Sequence, residues 1–250
     1  MSAVAIIPAR WASTRFPGKP LAMLAGRPLV RHVWERCLRA KKISRVIVAT
    51  DDMRIAEAAF DFGAEIALTS PKHPTGSDRL AEVAKKLSGV SIILNVQGDE
   101  PTISPRLIDR LVADMEKNPR AEMVTAATPF ADAAAVANPN NVKVVTDRLG
   151  HALYFSRSAI PFDRDGAGLA KPLHHLGIYG YRRAFLLRFV KWKPTPLEQA
   201  EKLEQLRALE MGARIRVVLT KDRSIGVDTP EDLAAAGALF AGDDLPAEAR

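Results

Sequence analysis

Three cations fall within ten residues near the start of the chain. Arg10, Arg15 and Lys19 are interleaved with Ser13, Thr14 and Gly18, directly after the apolar run Ala3–Pro8. Guanidinium and ammonium groups converging with the backbone N–H groups of a Ser/Gly loop suit a polyphosphate, which needs charge-assisted donors from several sides. Two carboxylates elsewhere offer complementary chemistry. Asp99 lies in Gln97-Gly98-Asp99-Glu100-Pro101 after the apolar run Ser91–Val96, and Asp228 lies in Gly226-Val227-Asp228-Thr229-Pro230. A carboxylate at a strand end is well placed for Mg²⁺, which takes one or two carboxylates and fills its other positions with water and phosphate. Acidic residues are equally routine in turns and ahead of helix starts. Residues so far apart in sequence share a metal only if the fold brings them together.

The elements that must position these groups alternate from the first residues. Ala3–Pro8, Arg45–Thr50, Ala64–Leu68 and Ser91–Val96 are short apolar runs, the pattern of buried strands. Between them, Val30, Val33, Trp34, Cys37 and Leu38 mark one apolar helical stripe, and helices are predicted over 53–62, ending at Gly63, and over 77–87. Strand and helix in alternation predict a doubly wound, mostly parallel α/β sheet, with ligands beyond the carboxyl ends of the strands. The second half reads as strands over 142–146, 152–155 and 175–181, the last broken by two glycines. Helices over 184–190 and 197–211, a strand over 215–219 and a last helix opened by Thr229-Pro230 follow. The Gly- and charge-rich stretch 163–172 reads as a mobile loop and the tail from Gly242 as frayed.

Composition narrows the chemistry. The chain has 250 residues, 47% hydrophobic and 26% charged, a net charge of +7 and one cysteine. These are the proportions of a globular protein, and a lone cysteine excludes disulfide frameworks and thiolate metal sites. With no apolar run long enough for a signal peptide or membrane span, the expected location is cytoplasmic. The first loop is not a P-loop, because Pro20 follows Gly18-Lys19 and Ser13 stands at the first glycine position. No GxGxxG follows the first strand, and there is no GxSxG or HExxH.

Taken in order, Ile7-Pro8-Ala9-Arg10, Ser13–Leu21, Asn95–Pro101, Tyr154–Arg157, His175–Arg182, Leu203–Arg207 and Gly226–Leu233 resemble the 3-deoxy-manno-octulosonate (Kdo) cytidylyltransferases, the CMP-Kdo synthetases among the sugar nucleotidyltransferases. The resemblance spans roughly residues 3–240. It implies CMP transfer from CTP to the anomeric hydroxyl of Kdo for lipopolysaccharide assembly, with release of pyrophosphate and direct, Mg²⁺-assisted attack on the α-phosphate. It implies a Rossmann-like domain with a CTP-binding part over about 1–130, a smaller sugar-binding and dimerisation subregion over about 131–215, and a return to the main sheet over 216–240.

Carried over position by position, the resemblance assigns Pro8, Ala9, Arg10, Ser13, Arg15, Lys19, Thr75, Gly76, Ser77, Arg79, Gln97 and Asp99 to the nucleotide, with Arg79 near the cytosine. Gln97, Arg157, Arg164, His175, Tyr179, Glu204 and Gln205 fall to the sugar, and Asp99 and Asp228 to Mg²⁺. Lys19, Arg15, Asp99 and Asp228 would be catalytic, with no protein general base. Gly76-Ser77-Asp78-Arg79 replaces the more usual Gly-Thr-Glu-Arg, and the 163–172 loop is shorter than usual. The resemblance also implies a homodimer that uses neither nucleic acid nor membrane. Two alternatives compete: CMP transfer to another acidic sugar, of 8-amino-Kdo or sialic acid type, and a basic nucleic-acid-binding protein.

Overall fold

The computed structural model describes residues 2–12, 16–168, 170–222 and 226–241. Its centre is strand β1 (Ser2–Ala9), flanked in parallel by β4 (Arg45–Thr50) and β6 (Val90–Asn95), with β5 (Glu65–Leu68) parallel at the edge beyond β4. Although β1 is apolar from Ala3 onward, its side chains divide by period two. Ala3, Ala5, Ile7 and Ala9 enter the core on one face, while Val4 and Ile6 enter the core on the other. Each buried Ile there contributes about 1.5–3 kcal/mol. The first core is capped by α1 (Leu29–Arg39), α2 (Met53–Asp61) and α4 (Pro105–Lys117), the second by α3 (Gly76–Lys86) and α6 (Arg183–Phe189).

Beyond β6 the sheet changes character. β10 (Leu173–Arg182) runs antiparallel between β6 and β7 (Met123–Pro129), and β11 (Ile215–Leu219) pairs parallel with β7. A hairpin of β8 (Lys143–Thr146) and β9 (Ala152–Ser156) attaches to the first residues of β10. The sheet is thus mostly parallel and doubly wound, as expected, with one antiparallel strand where the second half joins the first. The short pair β2 (Met23–Leu24) and β3 (Arg27–Pro28) and helix α5 (Ala133–Ala137) complete the scaffold before α7 to α9 below. No helix of the described residues is long and apolar enough to cross a membrane.

Several local expectations require correction. Leu38 is 53% exposed, so the α1 stripe ends at Cys37, which is fully buried. β10 is not broken at its glycines. A bulge between Leu176 and Tyr179 absorbs Gly177-Ile178, and Gly180 lies where a Cβ would meet Val124 at 2.7 Å. The helix predicted over 197–211 is two: α7 (Pro196–Glu201) and α8 (Gln205–Glu210), separated at Lys202, whose φ of +54° caps α7 in the left-handed region. Continuous 3.6-residue periodicity concealed the break, which turns the chain so that Leu203 and Leu206 both reach the core. Helix α4 and strand β7 lie in a stretch the periodicity reading passed over, although Ser104-Pro105 caps a clear stripe of Leu107, Ile108, Leu111, Val112 and Met115. The expected frayed tail lies outside the described residues.

Candidate active site

The loops after β1 and β6 meet at the carboxyl edge of the sheet because of one small residue. A Cβ on Gly98 would stand 3.1 Å from the Pro8 carbonyl oxygen, so any larger residue there would push these loops apart by a few tenths of an ångström. On the other side, Gly18 takes φ +71° to start a short 3₁₀ turn (Lys19–Leu21), and a Cβ there would meet the Trp11 indole at 3.0 Å. That turn aims Lys19 back across the strand ends. Asp228 arrives from the far end of the sequence, its segment tied to the β6 loop by the Val227 N–H donating to the Asp99 carbonyl at 2.9 Å. Thr229 caps α9 (Pro230–Ala241): Asp232 N–H donates to its hydroxyl, while the Asp232 carboxylate accepts from the Asp228 and Thr229 N–H groups at 3.0 and 2.9 Å. Asp232 is thereby committed to the cap, and Asp228 projects into the cleft.

Lys19 Nζ donates to Asp99 Oδ2 at 2.6 Å and to Asp228 Oδ1 at 3.2 Å. Two carboxylates separated by more than a hundred residues thus converge on one cation at the mouth of a cleft of about 380 Å³. Its wall includes Pro8, Ala9, Arg10, Lys19, Gly76, Gln97, Asp99 and Asp228, eight of the sequence-predicted site residues. Both carboxylates remain partly exposed, so the pair fits a hard divalent cation that keeps several waters. Arg10 donates to the Pro74 carbonyl at 3.2 Å, while its Nη2 is buried without a partner among the described residues. Desolvation first, and the nearby Arg79 second, lower its pKa. A buried, under-satisfied guanidinium on a cleft wall is preorganised for an anion. Ser13 and Arg15 lie outside the described residues.

Other predicted nucleotide residues lie behind the wall. Thr75 caps α3 in a reciprocal capping box with Asp78. Arg79 is wholly buried and off the cleft wall, bonded to Thr69 Oγ1 at 2.5 Å and paired with Asp51 at 3.1 Å. Ser77 is 2% exposed and donates at 2.6 Å to Glu204 Oε2. That bond joins a residue assigned to the nucleotide with one assigned to the sugar. Glu204 stands at the N-cap of α8, not mid-helix, and also accepts from Arg207 at 3.0 Å. Burial raises its pKa, partly opposed by those donors. Neighbouring Gln205 is 4% exposed, and its Nε2 has no partner among the described residues.

A second cavity of about 790 Å³ shares Asp228 with the first and extends towards Asn140, Asn141, Arg157 and Lys202. Arg157 Nε donates to the Glu201 carbonyl at 2.8 Å and Nη1 to the Pro139 carbonyl at 3.0 Å, which holds the guanidinium across the cavity wall. Arg164 is exposed and lies on neither cavity wall. His175 is buried against Phe155 and Tyr179, its Nε2 2.9 Å from Thr125 Oγ1. The Thr125 hydroxyl is directed to backbone carbonyls of the β10 bulge, so the imidazole Nε2–H donates to it. Burial pulls the His175 pKa down to about 3, which removes it from general-base chemistry at neutral pH. Burial likewise raises the pKa of Tyr179. Asn140, Asn141 and Lys202 carried no sequence signal beyond an Asn-Pro-Asn-Asn turn and one lysine in a helical run.

A cation-lined cleft over paired carboxylates, at the carboxyl edge of a mostly parallel sheet, defines a nucleotidyltransferase. The chain belongs to the cytidylyltransferase family, whose model matches residues 4–215. It is 55% identical over 243 residues to the 3-deoxy-manno-octulosonate cytidylyltransferase of Geobacter sulfurreducens, covering 93% of this chain and 97% of that protein. The enzyme of the same name from Actinobacillus succinogenes is 48% identical over 245 residues, covering 91% and 94%. Among solved structures, CMP:2-keto-3-deoxy-manno-octonic acid synthetase complexed with CTP superposes with a TM-score of 0.93 at 42% identity, over 96% of this chain and 99% of that one. A 4-diphosphocytidyl-2C-methyl-D-erythritol synthase from Anaerococcus prevotii shares the fold, with a TM-score of 0.64 at 17% identity over 96% and 99%.

Proposed function

We propose that this protein transfers CMP from CTP to 3-deoxy-D-manno-octulosonate, giving CMP-Kdo and pyrophosphate and so activating the sugar for lipopolysaccharide assembly. The observation that carries the reading is the cleft in which Lys19, Asp99 and Asp228 meet beside Arg10 and Gln97. Near full-length relatives of that name agree with it. Nucleotidyl transfer asks mainly for positioning and charge neutralisation. Arg10 and Lys19, with Ser13 and Arg15 of the same loop, hold the triphosphate. Pro8, Ala9 and Gly76 supply a close backbone wall for the nucleoside. Gln97, which donates to Asn95 Oδ1 at 3.0 Å on the cleft wall, contacts the nucleotide and, in this reading, the sugar's reacting end. Asp99 and Asp228 hold Mg²⁺, which when bound neutralises phosphate charge and lowers the pKa of an oxygen it contacts. Lys19 turns from the two carboxylates to the phosphates as the nucleotide enters, and stabilises charge on the departing pyrophosphate.

The acidic sugar occupies the cavity that shares Asp228, with Arg157 on its wall to meet the carboxylate. Its anomeric hydroxyl attacks the α-phosphorus directly, displacing pyrophosphate and releasing its proton to solvent. The CTP-binding part over about 1–130 and the acceptor part over about 131–215 form one nucleotidyltransferase unit, closed by the return of 216–240 that delivers Asp228. The enzyme works in the cytoplasm as a homodimer, supported by an apolar groove of Phe130, Val136, Pro161 and the 85%-exposed Phe162. Pyrophosphate release with CTP and Mg²⁺ against a panel of acidic sugars tests the activity. Turnover with Kdo far above 8-amino-Kdo and sialic acid is expected, and absence of turnover with Kdo would sink the substrate assignment.

A further inference from the structure

Lys143 is a side chain the chemistry above does not use and the fold does not cheaply explain. It sits on β8, the middle strand of a three-stranded patch, opposite Ser156 of β9 and His174 of β10. Its exposure is 0%, and among the described residues no carboxylate pairs with it. All three ammonium protons go to backbone carbonyls: Asn141 at 2.8 Å, Asn138 at 3.1 Å and Arg157 at 2.5 Å. Burial lowers its pKa, with Glu201 opposing and Arg157 adding to that shift. An ammonium whose hydrogen bonds all go to carbonyl oxygens carries a desolvation cost, and apolar packing of the same volume would serve stability at least as well.

What this ammonium uniquely does is tie together two walls of the acceptor cavity. The 138–141 turn and Arg157 are 16–19 residues apart in sequence, and Lys143 donates to carbonyls of both. The Arg157 guanidinium in turn depends on that turn, because one of its acceptors is the Pro139 carbonyl. Releasing Lys143 would free the turn, and with it one of the two supports that orient Arg157.

We propose that Lys143 is a positioning residue for the acceptor half of the reaction, whose buried ammonium fixes the 138–141 turn and Arg157 in the arrangement that receives the acidic sugar. This rests on assigning the sugar to that cavity.

The test compares steady-state constants for both substrates in Lys143→Met, Lys143→Gln and Arg157→Met. Arg182→Met is the control: Arg182 also gathers backbone carbonyls, of Met115, Asn118 and Ala121, but away from both cavities. Lys143→Met is expected to raise KM for Kdo at least tenfold while leaving KM for CTP within twofold. Lys143→Gln, which keeps two donors, should fall between it and the wild type. Arg182→Met should lose thermal stability with no change in either KM. If Arg157→Met raises the sugar KM and Lys143→Met does not, the positioning role is wrong and the cavity assignment stands. If neither variant moves the sugar KM, the cavity assignment itself fails. Equal loss of both substrates, or loss of CTP binding in both Lys143 variants, would make Lys143 a structural hub only and overturn the proposal.

Discussion

The two cavities that meet at Asp228 are built by different means. In the CTP cleft, each functional side chain sits within a few residues of the end of a parallel strand or the start of a helix. Arg10 follows β1, Asp99 follows β6, Gly76 opens α3 and Asp228 precedes α9. The backbone of a regular element does the positioning, and close approach at Gly98 completes it. The acceptor cavity instead lies on the appended antiparallel half, where the walls are turns. There the placement is carried by side-chain hydrogen bonds, most of them to backbone: Lys143 to the 138–141 turn, Arg157 to the Glu201 and Pro139 carbonyls, and the Glu201 carboxylate accepting from Ser156 Oγ at 2.6 Å and the Arg157 N–H at 2.9 Å. A site set by strand ends can be changed one group at a time. A site set by a network transmits each change to its neighbours.

That contrast can be broken by substitution, and the largest effect belongs to the cleft. Asp99→Ala and Asp228→Ala should each lower kcat by about 10²- to 10³-fold, the scale of removing a preorganised electrostatic group. Their thermal unfolding should stay near wild type, since both carboxylates are partly exposed. Loss of folding in either variant would show that the pair is structural and that the two halves are coupled more tightly than their architecture suggests.

A smaller effect sharpens the boundary itself. Ser77→Ala removes the donor at 2.6 Å from the largely buried Glu204 carboxylate. A buried acceptor left short of a partner costs about 1–3 kcal/mol, to be read by denaturant unfolding. The Glu204 pKa should rise further. If the nucleotide and acceptor halves communicate through this contact, both KM values rise together; a change in the CTP constant alone would deny the link.

The smallest effect concerns pH. His175 is neutral when folded, with its pKa about 3 against an ordinary 6.5. The unfolded chain therefore binds one more proton between those values. Stability contributed by the neutral ring is full above pH 6.5, declines as pH falls and is lost through the folded pKa. His175→Gln should flatten the dependence of thermal unfolding on pH between about 6.5 and 4, while the pH profile of kcat near neutrality acquires no limb from His175. A kinetic pKa near 6.5 that disappears in this variant would restore the imidazole to the chemistry.

The sequence was informative where function follows regular structure. The buried runs of the first half, the helix stop at Gly63 and the capped start at Thr229-Pro230 all follow from local rules of periodicity and capping. Arg10 and Asp99 could be singled out because they stand just after strands, Lys19 because it shares Arg10's loop, and Gln97 through the resemblance. The break at Lys202 could not, since a helical stripe of apolar residues continues through it and only the core decides which of them is buried. The resemblance assigns His175 to the sugar, whereas the structure buries it against Thr125, Phe155 and Tyr179, off both cavity walls.

By itself, then, the chain determined its alternating elements, its cationic first loop and a family resemblance strong enough to name a reaction. Only the tertiary structure decided that Asp99 and Asp228 meet on Lys19, that Ser77 and Glu204 share a hydrogen bond, and that Lys143 lies beneath the acceptor cavity. The physical reason is range. Propensity, capping and periodicity act within a few residues, whereas contacts across 127 or 209 positions depend on how the sheet is ordered and which faces pack together.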